Sequence, residues 1–135
     1  MGFFDIFKRK SAPVELPEEE QKWNRMWFLW EKGLIRAPYA ELMEYESEVN
    51  NGGHSQYFFN TSNNGTVEES VGVLLGALPR LLADNLEKAY ATYCAQEAMC
   101  DEEAEAVFDA CDDFFYEHED LLLNMLHGYA ERMNQ

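Results

Sequence analysis

Apolar residues recur at intervals of three and four along most of the chain, which is the spacing of α-helices. The first stripe lies between Pro17 and Gly33, residues that favour a helix start and a helix end. Valine and isoleucine do not alternate with polar residues over any useful length, so no strand is predicted. We interpret this first stripe as core or subunit packing rather than a ligand groove; it comprises Trp23, Met26, Trp27, Trp30 and Leu34.

The same spacing predicts five further helices. The second begins near Pro38 and stops at the double glycine Gly52-Gly53, and Thr61 to Gly65 reads as a polar loop. Thr66 followed by Glu69 is a capping box that opens the third helix, and Pro79 separates the third helix from the fourth. Two last helices follow Asp101. The predicted fold is all-α, a single-domain irregular bundle of about six helices with an acidic surface.

Residues 1–16 differ in composition from the rest of the chain. They combine an apolar and a basic cluster, and the sequence Ser11-Ala12-Pro13 follows. The apolar residues precede the basic ones and are too few for a signal peptide. We expect a loosely ordered leader over 1–16, rather than a membrane tether, and one helical domain over 17–135. The two clusters are Phe3, Phe4, Ile6 and Phe7, and then Lys8, Arg9 and Lys10.

The formal net charge of −16 is unevenly distributed. Residues 1–36 carry seven of the ten basic residues, whereas residues 37–135 carry three basic and twenty acidic ones. Because 47% of the chain is hydrophobic and 14% aromatic, this acidity belongs to a folded body and not to a disordered tail. Such a surface repels nucleic acid and anionic membranes and attracts basic proteins. Direct nucleic-acid binding is therefore not expected.

The carboxylates concentrate between positions 97 and 120, a stretch without lysine or arginine. Five of them follow one another at i, i+4 and form a row whose neighbours are about 6 Å apart, close to phosphate spacing. The competing interpretation is a solvated face whose carboxylates improve solubility and favour the start of a helix. The expected partner-binding residues are Glu97, Asp101, Glu102, Glu105, Asp109, Asp112, Asp113, Glu117, Glu119 and Asp120, with Glu103 in the same block.

Several other classes lack a sequence pattern. No apolar stretch is long enough for a membrane span, and three cysteines without a C-x-x-C pair fit reduced thiols in a cytoplasmic protein. His118 and His127 have no glutamate three residues earlier, and no EF-hand loop is present. No nucleophile and base pattern or phosphate loop can be assembled either. We expect no metal, no cofactor and no catalytic residues.

A second constellation, from Asn50 to Asn60, surrounds the double glycine. We interpret it as a helix-to-helix corner, in which asparagine amides cap helix ends and Tyr57, Phe58 and Phe59 anchor the turn to the core. The alternative is a small-ligand or enzymatic pocket that uses Gln56 and His54. With Glu46, the corner resembles the signature of a bacterial family of helical domains that includes an acidic DNA-mimic protein. The matching residues are Glu46, Asn50, Asn51, Gly52, Gly53, Gln56, Tyr57, Phe58 and Asn60.

The resemblance implies an all-helical fold that is often dimeric. For the DNA-mimic member, it implies a carboxylate array that occupies the DNA site of a transcriptional repressor. The leading hypothesis is therefore a non-enzymatic DNA mimic that binds a basic DNA-binding protein or transcription regulator. An immunity-type inhibitor of a toxin remains the second hypothesis, and a ligand-binding or enzymatic domain remains the third.

Overall fold

Over residues 16–133, the fold consists of five α-helices and a single turn of 3-10 helix. A computed structural model describes residues 16–133, and no strand occurs among them. This confirms the predicted all-α class, while residues 1–15 of the predicted leader lie outside the described part of the chain. The helices are α1 (Glu18–Glu31), α2 (Tyr39–Asn64), α3 (Val67–Ala77), α4 (Arg80–Ala95) and α5 (Asp101–Met133), and the 3-10 turn covers Gln96–Ala98.

Three predicted helix boundaries are confirmed, and two of them have a clear local cause. α1 ends just before Gly33, whose φ of 72° suits a residue without a side chain. Pro79 separates α3 from α4 because it has no backbone N–H to donate to a continuing helix. Thr66 immediately precedes α3 as expected, but its side chain forms no capping hydrogen bond, so the predicted capping box is not formed.

The prediction of six helices was wrong, because residues after Asp101 form one continuous helix of 33 residues. The polar run around Glu117 and Asp120 does not interrupt α5, since it contains neither proline nor glycine and faces largely outward. The apolar positions Phe115, Leu122 and Leu126 are all fully buried. These apolar residues therefore keep the same helical phase on both sides of the polar run, and a single helix can bury all of them.

The double glycine breaks the regular helix, as predicted, and joins two helical segments that together form α2. Gly52 (φ −158°, ψ 20°) and Gly53 (φ 78°, ψ −176°) are non-helical, yet helix resumes directly and extends to Asn64. The predicted loop from Thr61 to Gly65 is thus mostly helical. Thr61 is buried, so packing outweighs the turn-forming tendency of these polar residues.

α5 is the central element of the bundle, because it contacts α1, α2 and α4. α1 runs antiparallel to it: Lys22 Nζ lies 2.8 Å from Glu131 Oε2, and the Trp23 ring stacks on His127 at 4.0 Å. Trp27, further along α1, approaches the kinked part of α2. Met26 is fully buried and the tryptophans of this stripe are half-buried against the core, but Leu34 is exposed. Over residues 16–133, no helix has the length and apolar character needed to span a membrane.

Candidate functional site

One side of α5 carries a dense set of exposed carboxylates, which we call the carboxylate surface. Between positions 16 and 133, no lysine or arginine forms an ion pair with any carboxylate of the 97–120 block. Glu97 precedes α5 in the 3-10 turn, and the other members lie on α5 itself. The members are Glu97, Asp101, Glu102, Glu103, Glu105, Asp109, Asp113, Glu117 and Asp120.

The i, i+4 row runs from Asp101 to Glu117 and forms a band that winds around α5. Each step of four residues advances about 6 Å along a helix and about 40° around it. The five residues therefore cover about 24 Å of length and about 160° of arc, in a right-handed sense. Glu102 and Asp120 fall within the same arc and widen the band at its two ends.

Two predicted partner-binding residues, Asp112 and Glu119, are oriented differently from the rest. Both are only partly exposed, and both bind the kink of α2. Tyr116, which lies between them, donates a hydrogen bond of 2.9 Å to the carbonyl of Val49. Asp112, Tyr116 and Glu119 are spaced i, i+4, i+7, so they form one polar stripe of α5 facing the kink.

Asp112 approaches the kink where only glycine fits. A Cβ atom built on Gly53 would lie 2.3 Å from Asp112 Oδ2, and the φ of Gly53 is positive. A Cβ on Gly52 would lie 2.0 Å from Gln56 Oε1. The two glycines therefore allow α5 and the second half of α2 to come close to the bent backbone.

Asp112 also ends a chain of hydrogen bonds that runs through His54 to Tyr45. Its Oδ1 accepts from the backbone N–H of His54 at 2.8 Å and lies 2.7 Å from His54 Nδ1. His54 Nε2 lies 2.7 Å from the hydroxyl of Tyr45, and burial raises the pKa of that hydroxyl well above its usual range. The arrangement fits Nδ1 donating to the carboxylate and the Tyr45 hydroxyl donating to Nε2.

A second set of hydrogen bonds joins Glu46, Asn50 and Glu119. Asn50 Nδ2 donates to Glu46 Oε1 at 2.7 Å, to the Glu46 carbonyl at 3.1 Å, and to Glu119 Oε2. Burial, followed by the hydrogen bond with Glu119, raises the pKa of Glu46 to about 9. Glu46 is thus protonated at neutral pH, which avoids a buried negative charge close to Glu119.

Gln56, Tyr57, Phe58 and Asn60 of the motif also have contacts within the fold. Gln56 Nε2 donates to Glu48 Oε2 at 3.2 Å, and Asn60 Nδ2 donates to the same oxygen. The predicted aromatic anchor is confirmed for Tyr57 and Phe58, which are each 1% exposed, but it was wrong for Phe59, which is 67% exposed because it faces away from the core. Asn51 is exposed and lines an open depression of about 490 Å³ beside the kink; the other lining residues are Trp27, Glu46, Ser47, Glu48 and Asn50.

The core behind the corner is filled, which leaves the enzymatic hypothesis without support at this place. His54 is fully buried, and both its ring nitrogens have hydrogen-bond partners. A substrate therefore has no path to this imidazole. Within 16–133, no group of three or more histidine, cysteine, aspartate and glutamate side chains has a geometry that could hold a metal ion.

Sequence reasoning missed Tyr45 and Tyr116, and it assigned Asp112 and Glu119 to the outer surface. The polar stripe at i, i+4, i+7 on α5 could have indicated a contact with another helix. The sequence does not show, however, which helix faces this stripe. The ring of Tyr45 is fully buried in the core. The hydroxyl of Tyr45 is hydrogen-bonded to His54, and the bend of α2 brings these two residues together.

The bent helix α2, its hydrogen bonds to α5 and the carboxylate surface define a small, acidic, all-helical domain. A sequence model of the DMP19-like proteins matches residues 38–133, which cover α2 to α5 and more than two thirds of the chain. The chain therefore belongs to the DMP19-like protein family. This is a family of DNA-mimic proteins and is not a known family of enzymes.

Searches of curated proteins and of solved structures gave no significant match to this chain.

Proposed function

We propose that this protein is a DNA mimic whose carboxylate surface occupies the DNA-binding surface of a basic protein. Family membership supports the general function, since the DMP19-like family comprises DNA mimics. The observation that carries the proposal for this chain is the carboxylate surface, whose nine exposed carboxylates form no ion pair with a lysine or arginine among residues 16–133.

The energetics argue against a role of the band in stabilising its own helix. Like charges at i, i+4 destabilise a helix by a few tenths of a kcal/mol for each pair, so four such contacts cost about 1–2 kcal/mol. The first-turn residues Asp101 and Glu102 are partly offset by the helix dipole, but Asp109 and Asp113 in mid-helix are not. A bound basic partner would offset this repulsion between the carboxylates. The free energy released in this way would add to the affinity of the protein for its partner.

The geometry of the band is also related to that of a DNA strand. A B-form strand turns by about 35° per nucleotide in a right-handed sense and carries a charge every 3.4 Å of axis. The band turns by about 40° per step, in the same sense, with a step of about 6 Å. Its charges lie on a single uninterrupted helix, which holds them in fixed positions before binding.

The proposal is tested by capturing partners from a native lysate. The immobilised full chain is incubated at low salt, washed, and eluted first with duplex DNA and then with rising salt. A basic DNA-binding protein released by duplex DNA supports mimicry, because DNA and the carboxylate surface then compete for one site. Release by salt only, from a protein that does not bind DNA, contradicts it.

Two variants make the capture specific. Glu105→Lys, Asp109→Lys and Asp113→Lys together reverse the middle of the band and should abolish capture. The matched control reverses three exposed carboxylates on other helices, Glu19, Glu31 and Glu87, with the same change in net charge. Retained capture by this control shows that position matters, and not total charge alone. A nuclease toxin among the eluted proteins would instead favour the immunity hypothesis.

A further inference from the structure

A half-open cleft lies between the second half of α2, the end of α4 and the N-terminal part of α5. Its volume is about 320 Å³, and most of its wall is aromatic. Phe59 is 67% exposed, so much of its ring is accessible to a ligand. Within residues 16–133, no lysine or arginine lines the cleft. The aromatic lining residues are Phe58, Phe59, Tyr93 and Phe108, and the polar ones include Ser62 and Gln96.

The helices α2 and α5 run antiparallel along this cleft. His54 of α2 contacts Asp112 of α5, and one turn later on α2 the ring of Phe58 lies 6.1 Å from that of Phe108. Each turn forward on α2 therefore corresponds to one turn back on α5. By the same register, the next turn of α2 lies opposite the turn of α5 around Glu105.

Glu105 and Asp101 place two charges of the carboxylate surface at the rim of the cleft. Glu105 precedes Asp112 by two turns of helix, which rotates it by only about 20° around α5. Since Asp112 faces α2, Glu105 lies on the same side, and Asp101 lies one turn further towards the start of α5. Both are exposed, and neither forms an ion pair with a lysine or arginine of the described part of the chain. The cleft thus combines an aromatic wall with a negatively charged rim.

We propose that this cleft binds an arginine side chain of a basic partner protein, with the guanidinium group against the exposed ring of Phe59 and hydrogen-bonded to Glu105. A guanidinium group is planar and weakly hydrated, so it can stack on an aromatic ring while it donates hydrogen bonds to a carboxylate. The apolar stem of the same side chain would cover part of the aromatic wall.

Charge complementarity and size both favour this occupant. A purely apolar side chain would partly desolvate the carboxylates at the rim without offering them a hydrogen-bond donor, which is unfavourable. The volume of about 320 Å³ is at the small end of the range for ligand sites, so it fits a single side chain better than a cofactor. A lysine side chain carries the same charge, but its ammonium group is more strongly hydrated and cannot stack.

Binding of an arginine would make the protein selective among DNA-binding proteins. Arginine is the side chain that often reads guanine in the major groove, so DNA-binding surfaces present it. A row of carboxylates matches any basic surface, whereas the cleft requires an arginine at one position of the partner. This role in recognition rests on the proposed function, but the binding of an arginine side chain in the cleft does not.

Arginine binding is tested by ¹H–¹⁵N NMR of the full chain at 0.1 M salt. The probes are the capped tripeptides Gly-Arg-Gly, Gly-Lys-Gly and Gly-Leu-Gly. The arginine peptide should shift the side-chain amide of Gln96 and the backbone amide of Phe59, which line the cleft. It should leave the side-chain amide of Asn51, beside the kink of α2, in place. The lysine and leucine peptides should bind more weakly than the arginine peptide.

Substitutions assign the binding to the two proposed contacts. Phe59→Ala should weaken binding of the arginine peptide by about two- to five-fold, the range expected for an exposed cation–π contact. Glu105→Gln, which removes the charge at the rim, should weaken it as well. The matched controls are Phe28→Ala, at an exposed phenylalanine of α1, and Asp113→Asn, at an exposed carboxylate two turns further along α5. Both controls should bind the peptide like the wild type, because charges this far apart are largely screened at 0.1 M salt.

Three results would overturn the assignment. Equal binding of the arginine and lysine peptides, unaffected by Phe59→Ala, would show that only general attraction to the carboxylates is at work. Tighter binding of the leucine peptide would identify an apolar side chain as the occupant. Unchanged resonances of Gln96 and Phe59 with all three peptides would show that the cleft binds none of these side chains.

The Phe59→Ala variant also separates this inference from the proposed function. If the arginine peptide binds in the cleft but lysate capture yields no DNA-binding protein, the arginine site stands and mimicry fails. If a DNA-binding partner is captured and binds the wild type and Phe59→Ala equally tightly, mimicry stands and the role of the cleft in recognition fails. The inference predicts weaker binding of that partner to Phe59→Ala and unchanged binding to Phe28→Ala.

Discussion

Asp112 Oδ1 accepts two hydrogen bonds from His54, one from the backbone N–H at 2.8 Å and one involving Nδ1 at 2.7 Å. These bonds join α5 to the first residue after the double glycine of α2. The kink therefore fixes the position and rotation of the helix that bears the carboxylate surface. Asp112 itself belongs to this support, while its neighbour Asp113 points to solvent.

Replacing Asp112 by alanine should destabilise the fold by about 2–4 kcal/mol, because it leaves the buried His54 N–H groups without an acceptor. Asp113→Ala is the matched control and should change the free energy of unfolding by less than about 0.5 kcal/mol. Urea unfolding followed by circular dichroism measures both. Equal effects of the two substitutions would contradict the role assigned to Asp112.

Gly53→Ala should also destabilise the protein, by about 2 kcal/mol or more. The added Cβ meets Asp112 at 2.3 Å, and the positive φ is strained for any residue with a side chain. Gly72→Ala and Gly76→Ala, at open positions within α3, should instead leave stability unchanged or raise it by up to about 1 kcal/mol. Thermal unfolding midpoints distinguish the two cases, and a Gly53→Ala variant as stable as the wild type would refute the close approach.

The raised pKa of Glu46 makes stability depend on pH. Its pKa is about 9 in the folded protein against an ordinary value of 4.5, so the folded state binds the proton more tightly. The contribution is fully present below pH 4.5 and is lost as the pH rises towards 9. Glu46→Gln mimics the protonated carboxyl, so the variant should gain stability relative to the wild type as the pH rises through this window.

Urea midpoints at several pH values between 5 and 9 measure this gain. Glu105→Gln, at an exposed position of α5, is the control and should run parallel to the wild type. Parallel profiles for Glu46→Gln as well would show that Glu46 does not hold a proton in the folded state.

Local signals predicted much of the fold. Gly33 and Pro79 marked true boundaries because glycine and proline act through their own backbone geometry. Phe108, Cys111 and Phe115 follow helical spacing and are all buried. The prediction of two helices after Asp101 was wrong, because Leu122 keeps the same helical phase and is buried in the same core.

The supports of the site depend on contacts between distant residues, and these were not predictable from the sequence. Asp112 and Asp113 are chemically equivalent in sequence, and only the approach of α5 to the kink makes one of them a hydrogen-bond acceptor for His54. Residues of the motif around Gly53, among them Glu46, Asn50 and Gln56, form hydrogen bonds within the fold, in keeping with a structural interpretation. The partner of this motif on α5 could be known only from the fold.

The most direct test of the central claim is competition with DNA for the partner identified by capture. A labelled duplex bound to that partner is titrated with wild-type protein, with the variant reversed at Glu105, Asp109 and Asp113, and with the control reversed at Glu19, Glu31 and Glu87. Fluorescence anisotropy reports displacement of the duplex. Mimicry predicts that the wild type and the control displace the DNA and that the band variant does not. Binding of the wild type without displacement, or equal displacement by all three proteins, would contradict it.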